Sequence, residues 1–446
     1  MLAVDNKSSW YLHNFELLEK GLDGESKSKI HAIRKTALAR FQEVGFPTTH
    51  DEEWRFTNIM PIRNAEFLPA FHSKINLVTP RQIEHLFVTD SKSVKLVFVN
   101  GQYSKTLSET PSSVKGLQVT NLATALHIGG PAIEQNLACF AQVEKNPFVA
   151  LSTAFIQDGA FVQIGDGVTI DQPIECLFVS VGSEEPLIAN PRNLFLIGKR
   201  SRGAVVENYA SLDHGPFFNN VVSEIVVGED SIFEHDKLEN ESESSYHVAT
   251  IQIQQAARSN CTNNVISLGG KIVRNNITVV LADRDAEATL NGLSLGTGDQ
   301  LMDSHTTIDH TMPHCASHEL YKSILDGKAR GVFNGKIFVR QDAQKTDAKQ
   351  TNKTLLLSDE ATINTKPQLE IFADDVKCTH GAAVGQLDEE QIFYLRSRGI
   401  GERSAKDMLT LAFASDVVER IKTDAFRERL RGLIQDRLEL ARNTNG

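Results

Sequence analysis

From about Phe148 to Val384 the chain runs for more than two hundred residues with almost no helical periodicity, a property that removes most folds from consideration. Short apolar or alternating runs recur instead: 161-FVQIGDGVTI-170, 220-NVVSEIVVGEDSIFEH-235, 249-ATIQIQQAA-257 and 277-ITVVLA-282, separated by Gly, Asn, Asp and Ser. Strands this short and this numerous suit a sandwich, a propeller or a parallel β-helix. Three features favour the β-helix. The spacing is irregular, no blade-like motif recurs, and 354-TLLLS-358 and 369-LEIFA-373 are apolar on consecutive residues, as stacked strands covered on both faces can be.

The flanks read differently. In 28-SKIHAIRKTALARFQEVG-45, Ile30, Ile33, Leu38 and Phe41 recur near helical spacing, with Gly45-Phe46-Pro47 as a stop. The segment 95-KLVFVNGQYSKTLS-108 places two strand-like runs around Asn100-Gly101, a preferred hairpin dipeptide. Beyond the strand-rich region helix returns: Asp388 with Gln391, and Ser404 with Asp407, have the spacing of capping boxes, and Gly399 and Gly401 separate two helices. Leu409, Ala412, Phe413 and Val417 share one face of the second, and 427-RERLRGLIQDRLELAR-442 is amphipathic again. The expected organisation is a mixed N-terminal domain over 1–147, a β-helix core over 148–386 and a C-terminal helical domain over 387–446, free to cover the solenoid end or to dock a partner.

With 446 residues, 46 basic and 57 acidic side chains, and a net charge of −11, the chain lacks the basic excess that nucleic-acid binding needs. Its five cysteines, Cys139, Cys176, Cys261, Cys315 and Cys378, are dispersed and form no CxxC pair, which points to a reducing compartment. MLAVDNKSSWYLHNF turns polar at once and no apolar run approaches membrane-spanning length, so a cytoplasmic protein is expected.

Several motifs invite chemistry. The GxSxG of 292-GLSLG-296 could make Ser294 a hydrolase nucleophile, but that elbow needs a strand before it and a helix after it, and the flanks EATLN and TGDQLMD read as strand and loop. Within 303-DSHTTIDHTMPHCASH-318, His305, His310, His314, Cys315 and His318 reach the density of a zinc or iron site, yet their spacing matches no known finger and Pro313 interrupts any helix. The segment 331-GVFNGKI-337 lacks the glycine spacing and the Ser or Thr of a phosphate-binding loop, so the chain carries no ATP site of its own. Lys345 and Asp347 read as a polar loop between strands. In 374-DDVKCTHGAAVG-385, Cys378 and His380 lie two apart, so an extended backbone points both to one face. Two such groups are half of a metal site or of an activated thiol.

The segments 334-NGKIFVRQDAQKTDAKQTNKTLLLS-358, 364-NTKPQLEIFADDVKCTHGAAVGQLDEEQIFYLRSRGI-400 and 52-EEWRFTN-58 closely resemble the SufB/SufD family of iron–sulfur cluster assembly proteins. The SufD branch fits better, through 308-IDHTMPHCASHELYKSIL-325 and the CTHG context of Cys378, so the sulfur-acceptor cysteine of the SufB branch is not carried over to Cys378. The resemblance implies a right-handed parallel β-helix flanked by helical domains. It further implies a non-enzymatic scaffold that pairs with SufB and binds the SufC ATPase through its C-terminal region, Leu409, Phe413 and Val417 being candidate contacts. It places His380 at the SufB interface, where an imidazole can ligate iron of a nascent, shared iron–sulfur cluster, with Cys378 the weaker candidate. An FAD bound to the assembled complex is compatible with the same resemblance.

Overall fold

The computed structural model describes residues 6–22, 28–72, 78–110 and 115–444. Its centre is a parallel β-solenoid in which successive strands alternate between two sheets. One turn comprises strand Leu301–His310, a corner at 311–315, strand Ala316–Leu325 and a second corner at 326–329, before Arg330–Val339 begins the next. Arg330 lies beside Leu301 and Asp347 beside Ala316, so every strand pairs with its counterpart one turn away. The repeat varies from 26 residues (Tyr246 to Ile272) to 33 (Phe161 to Leu194). That variation is why the spacing looks irregular in the sequence, and the β-helix expectation holds.

Strand alternation builds the interior. Ile225, Ile253, Val279, Ile308, Ile337 and Leu369 stack in register from one sheet, one per turn. Phe98, Phe178 and Tyr209 form a ring stack on the other, with centroids 4.7 and 4.6 Å apart. One corner is equally regular. Arg200, Asp230, Arg258, Asp285, His314 and Lys345 all have positive φ, and each donates its backbone N–H to a carbonyl of the following turn. A left-handed non-glycine residue costs roughly 1–2 kcal/mol; the repeated hydrogen bond offsets that cost and locks adjacent turns together.

Outside the solenoid, Ser28 caps helix Lys29–Val44 through its side chain and Gly45 ends it at φ 64°. The Asn100-Gly101 hairpin forms with both residues at positive φ, and its first strand, Val94–Val99, joins a solenoid sheet beside Ile174–Ser180. Phe67 and Phe148 of the N-terminal region pack with Phe218, Val248, Ile272, Leu301 and Val332 on the outer face of one sheet. The motif EEWRFTN makes a clasp there: Arg274 lies 3.7 Å over the Trp54 ring, donates to the Glu53 carbonyl at 2.8 Å and pairs with Asp303, which also accepts from Thr57.

Helices Glu389–Ser397, Glu402–Val418 and Asp424–Thr444 complete the chain. Asp388 caps the first through its side chain and Gly399 turns at φ 86°. Ser404 is not a cap: the second helix starts after Gly401, which puts Ser404 inside its first turn. These helices do not cover the solenoid end. Val417, Ile421, Phe426, Leu430 and Ile434 pack along the outer face of the second sheet, against Leu238, Ile266, Leu293, Leu320 and Leu355. The last turn, Thr362–Ile371 and Lys377–Gly385, therefore ends both sheets with no further strand beside it.

Candidate functional site

Strand Lys377–Gly385 pairs with Asp347–Leu356 on one side only, leaving the peptide groups of its other edge unmatched. Cys378 and His380 alternate onto one face, as the sequence predicts, but their surroundings differ. Cys378 is half-buried against a small cluster that includes Ile337, Val339, Ala343 and Ala348. Burial first, and then the charge of Asp347, raises its thiol pKa, so the sulfur is held as a thiol and is a poor ligand in the isolated chain. His380 is exposed, beside Gly381, whose Cα has open space around it. Ile371, Phe372 and Val384 stand exposed on the same terminal turn. An accessible imidazole on an open, partly apolar double edge can supply one ligand to a shared metal centre and leave the others to an opposing surface.

The remaining sequence candidates fall elsewhere. Ser294 lies inside strand Glu287–Gly296 without an elbow, in register with Ser267 and Ser323. The glycine before it is explained by packing: a Cβ on Gly292 would come within 2.2 Å of the Tyr321 ring. The histidine-rich segment disperses around the solenoid. His305 sits on an outer face 3.0 Å from Asp303 and 3.3 Å from Glu53, while His310 is buried 2.9 Å from Ser317 Oγ. His314 forms the left-handed corner, and Cys315 is buried with its thiol 3.2 Å from the Asp283 carbonyl. Among the described residues no three His, Cys, Asp or Glu side chains converge as a metal site. Lys345 is likewise a corner, with its ammonium paired to Asp375.

The three apolar C-terminal candidates also separate. Val417 is fully buried against the solenoid and Phe413 packs there too, its ring 4.1 Å from Lys322 Nζ; Leu409 is half-buried. Val417 is thus a core residue, not an accessible contact. The large apolar groups that this region exposes are Phe393, Tyr394 and Met408, at 72%, 58% and 49%. Sequence periodicity missed them because a helix face covered by its own protein and one awaiting a partner look alike.

Among the described residues no helix is long and apolar enough to cross a membrane. Residues 178–413 match the family model for the SUF system FeS cluster assembly SufBD core domain, and residues 5–176 match that for the SufBD protein N-terminal region. A SufBD family iron–sulfur cluster assembly protein of Synechocystis is 33% identical over 93% of each chain. The iron–sulfur cluster assembly protein SufD of Escherichia coli is 32% identical over 90% of this chain and 91% of its own length, and SufD of Bacillus subtilis is 26% identical over 73% and 75%. The chain belongs to the SufBD family of the SUF system for iron–sulfur cluster assembly.

Proposed function

We propose that the chain is a non-catalytic scaffold subunit of SUF cluster assembly, which pairs with SufB through the exposed last turn and carries SufC on its C-terminal helices. The observation that carries this reading is the open double edge of Thr362–Ile371 and Lys377–Gly385 with His380 exposed upon it. Continuing both sheets into a second solenoid would satisfy the free peptide edges and cover Ile371, Phe372 and Val384. His380 then meets donors from SufB, and iron with sulfide, the cargo of the system, is held between the two chains. Cys378 is the secondary ligand. Any flavin belongs to the assembled complex, ATP is hydrolysed by SufC, and assembly takes place in the cytoplasm.

The test is His380→Ala in the complex co-purified with SufB and SufC, followed by measurement of reconstituted cluster absorbance. The expected result is an intact complex that has lost most of its cluster. Full cluster formation by that complex would falsify the assignment of His380. Removal of residues after Gly401 is expected to abolish SufC binding and to retain SufB; SufC binding by the truncated chain would confine its site to residues before Gly401, the exposed Phe393 and Tyr394 among them.

A further inference from the structure

The interior of the solenoid holds several buried carboxylates, and the chain supplies cations to those of its middle turns. Glu207 pairs with His235 at 2.9 Å, Glu239 with Lys237 and with His247 at 3.2 Å, and Glu241 with His247 at 2.7 Å. Glu319, 4% exposed on the inward face of strand Ala316–Leu325, differs. Among the described residues it forms no ion pair. Its hydrogen bond is from Gln350 Nε2 to one carboxylate oxygen at 2.6 Å, and the other oxygen has no partner.

The surroundings of that free oxygen are oxygen-rich and equally unsatisfied. Tyr321 OH and Gln350 Oε1, in residues 3% and 2% exposed, have no hydrogen-bond partner, and the hydroxyl of Thr306 faces the carboxyl from the opposite sheet without the geometry of a full hydrogen bond. The arrangement is built into the backbone. Gln350 reaches Glu319 across Gly335, where any Cβ would stand 2.3 Å from Gln350 Nε2, and the Tyr321 ring is admitted by Gly292. The Thr306 and Tyr321 hydroxyls can turn their protons away and present lone pairs, so all four groups can act as acceptors around one buried carboxyl that no cationic side chain neutralises.

We infer that Glu319, Gln350, Tyr321 and Thr306 form an interior site for one monovalent alkali cation, sodium or potassium, reached from the open end of the solenoid. Charge decides the valence. One carboxylate neutralises one monovalent ion, whereas a divalent ion would leave a net positive charge in a low-dielectric interior at high desolvation cost. Amide, hydroxyl and carboxylate oxygens are hard donors suited to such ions. Burial raises the Glu319 carboxyl to about 7, so proton and cation compete for it near neutrality. Gln350 pairs directly with His380 on the terminal strand, so occupancy also orders the residue beneath the candidate interface.

The experiment is thermal unfolding of the full chain at pH 8 and fixed ionic strength in sodium, potassium or choline chloride, beside the isosteric Glu319→Gln variant. For wild type the midpoint is expected to rise in sodium or potassium over choline, by about 1.5 °C for each tenfold excess over the dissociation constant. Glu319→Gln is expected to lose that dependence and to melt above wild type in choline. Equal wild-type midpoints in all three salts would show that the carboxyl holds only its proton and overturn the site. So would stabilisation by manganese chloride that Glu319→Gln abolishes, which would make the ion divalent. Tyr321→Phe gives a second variant should Glu319→Gln fail to fold; an unchanged salt response in it also overturns the assignment.

Discussion

Gln350 stands between His380 and Glu319 in one strand ladder, with its backbone paired to both and its amide 2.6 Å from the Glu319 carboxylate. His380 and Glu319, its neighbours on either side, thus share one positioning residue but have opposite exposures, the histidine open to solvent and the carboxyl buried. Gln350→Ala removes the hydrogen bond that Glu319 has, so a loss of about 1–3 kcal/mol in urea unfolding is expected. His380→Ala truncates an exposed side chain and is expected to stay within about 0.5 kcal/mol of wild type. A loss for His380→Ala as large as that for Gln350→Ala would identify the histidine as a packing residue, whatever its effect on cluster formation.

The GxSxG motif makes a separable prediction. Gly292 admits the Tyr321 ring and Ser294 only continues a strand ladder, so Gly292→Val is expected to cost about 1–3 kcal/mol or more by overpacking. Ser294→Ala is expected to change stability far less, and a fluorophosphonate probe is expected to leave the wild-type chain unlabelled. Labelling that disappears with Ser294→Ala would restore the hydrolase reading that the strand geometry disfavours.

Local physics made much of this fold legible beforehand. Helix Lys29–Val44 and the Asn100-Gly101 turn follow from contacts within a few residues, and the shared face of Cys378 and His380 follows from strand alternation. What stayed hidden depends on partners one solenoid turn away. Glu319 and Gln350 are 31 positions apart, and the half-burial of Cys378 comes from Ile337 and Ala348 of the preceding turn. The corners were hidden for another reason: Arg200, His314 and Lys345 carry no glycine signal, because inter-turn hydrogen bonds hold them in the left-handed region. The clasp of Trp54, Arg274 and Asp303 joins segments over two hundred residues apart, so EEWRFTN could be recognised but not explained.

The docking of the C-terminal helices can be broken without touching their outer surface. Val417 is fully buried against the solenoid, so Val417→Asp would place an unpaired charge in that contact, at a cost on the order of 4–5 kcal/mol. Limited proteolysis is expected to cut this variant ahead of Asp424 while the solenoid stays resistant. Phe393→Ser and Tyr394→Ser, in contrast, alter exposed groups and are expected to leave the chain folded and to weaken SufC capture. Undiminished capture by the doubly substituted chain would move the contact off this helix.

Stability should fall in acid for two reasons whose signs agree. Burial alone would raise the Glu207 carboxyl, but the hydrogen bond and charge of His235, with the charge of Lys237, overcome it and lower the group from 4.5 to about 2. A depressed carboxyl contributes stability that is fully present above pH 4.5 and is lost as pH falls through 2. Burial lowers His310 from 6.5 to about 4, so the unfolded chain takes up a proton that the folded chain refuses, and stability declines between pH 6.5 and 4. Each shift is worth on the order of 3 kcal/mol. Glu319 acts oppositely: its raised carboxyl, at about 7, makes stability in choline chloride fall as pH rises from 4.5 to 7. The His310 and Glu319 limbs overlap with opposite signs and similar size, so urea unfolding across pH 2–8 is expected to show stability rising to about pH 4.5 and then staying nearly level in the wild type, the two limbs separating only in the variants. Glu207→Gln should flatten the limb below 4.5, His310→Gln should uncover the descent from 4.5 to 7, and Glu319→Gln the rise from 4 to 6.5. A limb that persists in Glu207→Gln, or a profile that stays level in either other variant, must arise from other groups.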